Sequence, residues 1–206
     1  MSMPELSNLH QKITIQPLTE KYIGSVVHLH QSVLGETLNS RLGAKHLEHL
    51  YRIMLQSPDC FIGIALSDSN LAGFISGALN LNAIKPALLK TMPPSGWVNI
   101  ALRFLRHPDL LVEWMHGNQV GQPIFMQGKR VDSILTTIGV DQNFQGFGIG
   151  KKLVHELEQY FKAHGVTAYR LDTLLTNDQA RRFYESQGFA PNEIRADSIL
   201  YLKELS

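Results

Sequence analysis

The sequence predicts an α/β fold in which strand-like and helix-like segments alternate along 206 residues that form one domain. Three observations carry that prediction. The first is an apolar, β-branched run, Ile134–Val140, which stops at Asp141, passes through a Gly-rich turn and enters apolar residues at helical spacing. The second is a pair of apolar runs, 60–66 and 71–79, joined by Ser67-Asp68-Ser69-Asn70, a hairpin signal with a loop longer than two residues. The third is a strand candidate at 166–173 followed by a helix that Asn177 can cap and Gly188 can end.

The other elements follow in order. Ile13-Thr14-Ile15 reads as a first strand. Thr19 can cap a helix that carries Tyr22, Ile23, Val26, Val27 and His30, and Gly35 closes it. Residues 36–43 read as a polar connection. A second helix at 44–56 turns Leu47, Leu50, Tyr51, Met54 and Leu55 inward. In 148–164, Ile149, Leu153, Val154, Leu157, Tyr160 and Phe161 recur at helical spacing, and Gly165 is placed to cap the C-terminus. A last strand is expected at 194–202.

Residues 81–130 interrupt this alternation. Pro86, Pro93, Pro94, Pro108 and Pro123 divide them into short pieces, because proline ends helices. Helices are expected at 84–90, 96–107 and 109–116, and both tryptophans, Trp97 and Trp114, lie here. The segment reads equally as a helical flap packed on the body, or as a lid or homodimer contact.

Bulk properties exclude several classes of function. Apolar content of 44% and charged content of 18% describe a folded protein, and a formal net charge of +1 gives no support for a nucleic-acid partner. The single cysteine, Cys60, excludes an intramolecular disulfide and suits a reducing, cytoplasmic setting. It sits in an apolar run and is expected to be buried and inert. The N-terminal fifteen residues lack the apolar core of a signal peptide, and no stretch approaches the ~18 apolar residues of a membrane span. No His, Cys, Asp and Glu group shows metal-ligand spacing, so no metal is expected.

The turn after the 134–140 strand holds the strongest functional signal. Gly146, Gly148 and Gly150 open the following helix. Glycines there let backbone N–H groups approach an anion, which the positive end of the helix favours. Lys151 is followed by Lys152, not Ser or Thr, so the nucleoside-triphosphate loop is not matched. Glycines at every second position also miss the spacing of the dinucleotide fingerprint.

The pattern that fits is Q/R-x-x-G-x-G/A, on Gln145, Gly148 and Gly150. It resembles the acetyl-CoA loop of the GNAT family of N-acetyltransferases. The segment from Thr176 to Phe189 is similar to that family's N-x-x-A-x-x-F/L-Y-x-x-x-G-F motif, on Asn177, Ala180, Phe183, Tyr184, Gly188 and Phe189. The two motifs cover about 135–190; earlier segments match the family in element order alone. The resemblance implies a central twisted mixed β-sheet flanked by helices, with 81–130 as a helical insertion between the third and fourth strands.

For chemistry, the resemblance implies acetyl transfer from acetyl-CoA to a primary amine by direct attack. Backbone amides of Gln145, Gly146, Phe147, Gly148, Ile149, Gly150 and Lys151 would bind the pyrophosphate. The main chain of Ile138, Gly139 and Val140 would pair with the pantetheine arm, which Asn177 would support from the other side. Tyr184 would protonate the leaving thiolate, since a tyrosine at its ordinary pKa stays protonated at neutral pH. Strand alternation places Ile134, Thr136, Ile138 and Val140 on one face, with no acid or imidazole to act as base. Thr136, Asp132 and Glu36 are weaker candidates for that role, and His28 and His30 read as ordinary helix residues.

The acceptor expected is a small-molecule amine, an amino sugar or amino acid derivative, because an apolar flap suits an enclosed pocket. Two alternatives stay open. The motif half also resembles enzymes that acetylate protein N-termini, which predicts an open groove. A CoA-binding regulatory module without turnover would lack a base.

Overall fold

Seven strands form one sheet in the order β1-β2-β3-β6-β7-β9-β8. They are β1 (Ile13–Pro17), β2 (Cys60–Ser67), β3 (Asn70–Ala78), β6 (Ile134–Val140), β7 (Ala168–Leu174), β8 (Ala190–Ile194) and β9 (Ser198–Glu204). All neighbours run antiparallel except β6 and β7, which are parallel. The helices are α1 (Ile23–Val33), α2 (Leu38–Leu42), α3 (Ala44–Gln56), α4 (Ile84–Thr91), α5 (Pro94–Arg106), α6 (Ile149–Ala163) and α7 (Asp178–Ser186). The structure, a computed structural model, describes residues 13–81, 84–111, 124–126 and 128–205.

Two apolar layers hold the sheet, and period-2 alternation on β3 feeds both. Phe74 joins Val26, Val27, Leu47 and Tyr51 of α1 and α3 on one face. Ile75 joins Ile149, Leu153, Leu157 and Phe161 of α6 on the other, with Tyr169 of β7 and Tyr201 of β9. Truncating a fully buried side chain such as Leu157 removes transfer free energy and leaves a cavity.

A polar contact is buried in the first layer. His30 Nδ1 and the Tyr51 hydroxyl share a 2.7 Å hydrogen bond, and the imidazole stacks on Phe74. Burial, and then the neighbouring His46, lowers His30 from 6.5 to about 4. His46 is lowered to about 4 by burial and by His49. His30 is thus a satisfied helix residue, as the sequence suggested.

Several boundaries differ from those expected. The segment 36–43 contains α2 and is not only a connection. Pairing of β2 with β3 extends to Ser67 and Asn70, so the hairpin turns through Asp68 and Ser69 alone, with Asp68 at a left-handed φ of 56°. The expected last strand crosses a turn: β8 ends at Ile194 and β9 begins at Ser198. The insertion is not wholly helical, because β4 (Ile124–Met126) and β5 (Lys129–Val131) form a separate antiparallel pair whose Ile124 and Val131 cover Leu200 and Leu202. Much of the helix expected at 109–116, including Trp114, lies outside the described residues. Cys60 is half-buried, and burial pushes its thiol upward.

Leu157→Ala is expected to lower the unfolding free energy by about 2–5 kcal/mol, read from the urea midpoint. The depressed histidines set a pH dependence. Their contribution to stability is full above 6.5 and is lost as pH falls from 6.5 toward about 4, because the unfolded chain takes up protons first. Urea unfolding across that range should show the decline, and His30→Gln should flatten part of it.

Candidate active site

The site is built where two neighbouring strands part. Among the described residues, β6 and β7 pair only at Ile134 and Arg170, where the Arg170 N–H donates to the Ser133 carbonyl at 3.0 Å. The rest of β6 pairs with β3 alone, while β7 pairs with β9 along its whole length. The edge of β6 that faces β7 is therefore open toward the C-terminal ends of both strands.

A bulge explains the parting. The β3–β6 register shifts between Ser76 and Gly77, which face Thr137 and Leu135, and Thr136 is the extra residue. Its Oγ1 lies 2.7 Å from Ser76 Oγ. A bulge bends its strand and raises the local twist, here two residues beyond the last shared pair. It also corrects the expected face. Ile134 packs in the α1 layer, whereas Ile138 and Val140 pack against the α6 layer with Leu135. Strict alternation fails at Thr136, so the four residues do not share one face.

The Gly-rich loop closes the open end. Asp141 caps a 3-10 turn, Gln142–Phe144, by accepting from the Asn143 N–H at 2.9 Å. Gly146 and Gly148 follow with φ of 83° and 72°, and a Cβ at either would meet nothing within 4 Å. These two glycines satisfy a left-handed backbone beside open space. Gly150 and Gly139 serve packing instead. A Cβ at 150 would come within 3.1 Å of the Phe183 ring of α7, and one at 139 within 2.7 Å of Phe74 and 2.8 Å of Val33.

The first bond of α6 runs from the Lys152 N–H to the Gly148 carbonyl. The amides before it have no acceptor one turn back, and α6 has no side-chain cap and no acid in its first turn. Lys151, Lys152 and Phe147 are exposed around this positive end, while the Ile149 side chain is buried, so Ile149 offers only its backbone. The loop is tied across the opening, because Gln145 Nε2 donates to the Val140 carbonyl and Gln145 Oε1 accepts from Gln179 Nε2, both at 3.4 Å.

The far wall is α7. Asn177 is its N-cap and accepts from the Ala180 N–H at 3.0 Å, so the cap is real, and its side chain is exposed at the opening. Tyr184 lies two turns further along α7, in the α6-side layer. Its ring packs against Phe183, Phe189 and Tyr201, and burial raises the phenol above its ordinary value.

A carboxylate on β7 stands on the other side. Tyr169 and Leu171 of β7 face α6, so Arg170 and Asp172 face away from it. Asp172 is two residues beyond the last β6–β7 pair. Its Oδ1 accepts from Arg195 Nη1 at 3.2 Å, and its Oδ2 is buried without a partner. Burial pushes the Asp172 carboxyl up, against the pull of Arg195 and Arg170. The legible signal was the alternation of Arg170 and Asp172 with Tyr169 and Leu171 along the strand. By contrast Glu36 is exposed, and Asp132 pairs with Arg130 at 2.7 Å.

Two cavities lie elsewhere, one of about 430 Å³ at the closed foot of β6 and β7, the other of about 540 Å³ between α3 and the insertion. Among the described residues no His, Cys, Asp and Glu group could hold a metal, and no helix is long and apolar enough to cross a membrane.

Comparison with known proteins agrees with the geometry. Residues 29–189 match the family profile described as Acetyltransferase (GNAT) family. No curated protein is significantly similar in sequence. Among solved structures, the chain is similar to an acetyltransferase of the GNAT family from Staphylococcus aureus Mu50, with 16% identity, TM-score 0.61, and 94% of this chain and 99% of that one covered. It is similar to the ribosomal-protein-S18-alanine N-acetyltransferase from Escherichia coli, with 17% identity, TM-score 0.59 and 94% of each chain covered. It is also similar to the PaiA N-acetyltransferase from Thermoplasma acidophilum in complex with coenzyme A, with 16% identity, TM-score 0.55, and 94% and 99% covered.

Gly148→Asp should abolish CoA binding in calorimetric titration while leaving the urea midpoint within the range of a strained surface turn. A carboxylate and a Cβ would occupy the anion site at a φ that favours glycine. Unchanged CoA affinity would place the cofactor elsewhere.

Proposed function

The chain belongs to the GNAT acetyltransferase family, and we propose that it moves an acetyl group from acetyl-CoA to the primary amine of a small molecule. One observation carries this reading: β6 leaves β7 after a single pair, directly below two left-handed glycines at the uncapped start of α6. That arrangement offers a strand edge for an amide-bearing arm and a positive pole for a pyrophosphate. The similar Thermoplasma acidophilum structure contains coenzyme A, which is the ligand this chemistry fits.

The residues present suit that co-substrate. Amides from Gly146 to Lys151 face the pyrophosphate, with Lys151 and Lys152 nearby. The freed edge of Ile138, Gly139 and Val140 pairs with the pantetheine amides as an added strand. Asn177 holds the arm from α7 with the amide group its cap leaves unused. The thioester then lies deeper, between Tyr184 and Asp172.

The acceptor nitrogen attacks the thioester carbon, the C–S bond breaks, and CoA leaves as thiolate. The amine must lose a proton before or during attack. Asp172 takes it, directly or through one water, and its partnerless Oδ2 is the atom that lacks a donor in the resting protein. Burial holds the Tyr184 phenol above the ordinary thiol value of about 8.5, so its hydroxyl stays protonated and stabilises the developing sulfur charge by hydrogen bonding. A compartment that keeps Cys60 reduced, the cytoplasm, suits the chain.

The insertion favours a small acceptor. Its Met92 and Ile100 pack on Leu42 at the α2–α3 corner, beside the face on which Asp172 lies. The similar ribosomal-protein-S18-alanine N-acetyltransferase supports a second reading, a protein N-terminus as acceptor.

Thiol release from acetyl-CoA against a panel of small amines and N-terminal peptides tests the assignment. Amine-dependent release is expected; CoA binding without release from any acceptor would favour a regulatory module. Tyr184→Phe should lower kcat about 10²-fold with CoA affinity nearly unchanged. Asp172→Asn should slow turnover and remove the acid limb of the pH–rate profile, a limb displaced upward because burial raises that carboxyl. An unchanged limb would exclude Asp172 as the base.

A further inference from the structure

Helix α5 is apolar over one broad arc, more than half of its circumference, and only one edge of that arc is packed against the body. Inward, Ile100 and Phe104 pack with Leu42 and Met92. Outward, Trp97, Val98, Leu102 and Leu105 are 41%, 58%, 43% and 80% exposed. At about 100° per residue these four and Ala101 fall on a single arc, with exposed Arg106 at its border. A surface helix ordinarily turns polar residues to water along that arc. Leu89, at the end of α4, is also 40% exposed.

The sequence that carries this ridge has charge of one sign. No Asp or Glu occurs between Asp68 and Asp109, a stretch that carries Lys85, Lys90, Arg103 and Arg106. The whole chain has a formal net charge of only +1, so the excess is local. At 13 residues α5 is too short to span a bilayer but long enough to lie in its surface.

We propose that α5 docks this protein onto the surface of an anionic lipid bilayer. Trp97, Val98, Leu102 and Leu105 enter the boundary between headgroups and acyl chains, and Lys90 and Arg106 meet lipid phosphates. A second copy of the chain suits the face less well. A two-fold contact would set the basic border of the ridge against itself, whereas an anionic surface complements it. The inference goes beyond acetyl transfer and does not depend on it.

Sedimentation of the full chain with phosphatidylcholine vesicles, with and without phosphatidylglycerol, tests the proposal. Binding is expected with the anionic vesicles, weakened by high salt and accompanied by a blue shift of Trp97 emission in a Trp114→Phe background. Leu105→Glu is expected to weaken vesicle binding about tenfold or more, since it removes a buried leucine and adds a negative charge. Val98→Glu should act alike. Both positions are solvent-exposed, and an unchanged urea midpoint and CoA affinity would confirm an intact fold. No binding to anionic vesicles would overturn the proposal, as would binding indifferent to both substitutions. A wild-type dimer that Leu105→Glu converts to a monomer, with no vesicle binding, would assign the ridge to a second copy instead.

Discussion

The cleft exists because β6 bends away from β7 after one shared pair. A parallel pair ordinarily continues for several residues, each adding backbone bonds that a buried edge otherwise lacks. Here Thr136 adds a residue opposite β3, and the strand turns away two positions past Ile134. The amide and carbonyl groups freed on β6 need partners, and a ligand with its own amides can supply them. The Ser76–Thr136 hydroxyl contact occupies the polar groups of the bulge itself, so the bend is held without an orphaned hydroxyl.

The rest of the architecture keeps that opening in shape. On one side, α6 fixes the loop, because Ile149 and Leu153 are fully packed one and five residues after Gly148. On the other, the end of α1 reaches β6 so closely that residue 139 has no room for a side chain. His30, Tyr51 and Phe74 form a rigid block beneath this contact. Both walls are therefore positioned by well-packed layers, while the loop tip at Gly146, Phe147 and Gly148 is exposed.

Much of this was legible in the sequence because its signals are local. The glycines, the helical spacing from Ile149 to Phe161 and the Asn177 cap all act within one or two turns, and each lies where it was expected. The errors came from effects that cross between elements. A bulge depends on the partner strand, so nothing in Ile134–Val140 alone revealed that alternation breaks at Thr136. For the same reason Asp172 did not stand out among Thr136, Asp132 and Glu36, because its place two residues past the last β6–β7 pair depends on the neighbouring strand. The small β4–β5 pair escaped notice because strands of three residues carry too little pattern to read.

Amide hydrogen exchange with and without acetyl-CoA tests the central claim most directly. The account predicts new protection in two places on ligand binding: the outer part of β6, from Ile138 to Val140, and the amides from Gly146 to Lys151. Protection of the loop alone would mean that the cofactor's phosphates bind without its arm entering the cleft. If neither segment gains protection while acetyl-CoA is bound, the parting of β6 from β7 does not form the cofactor site, and the account is wrong.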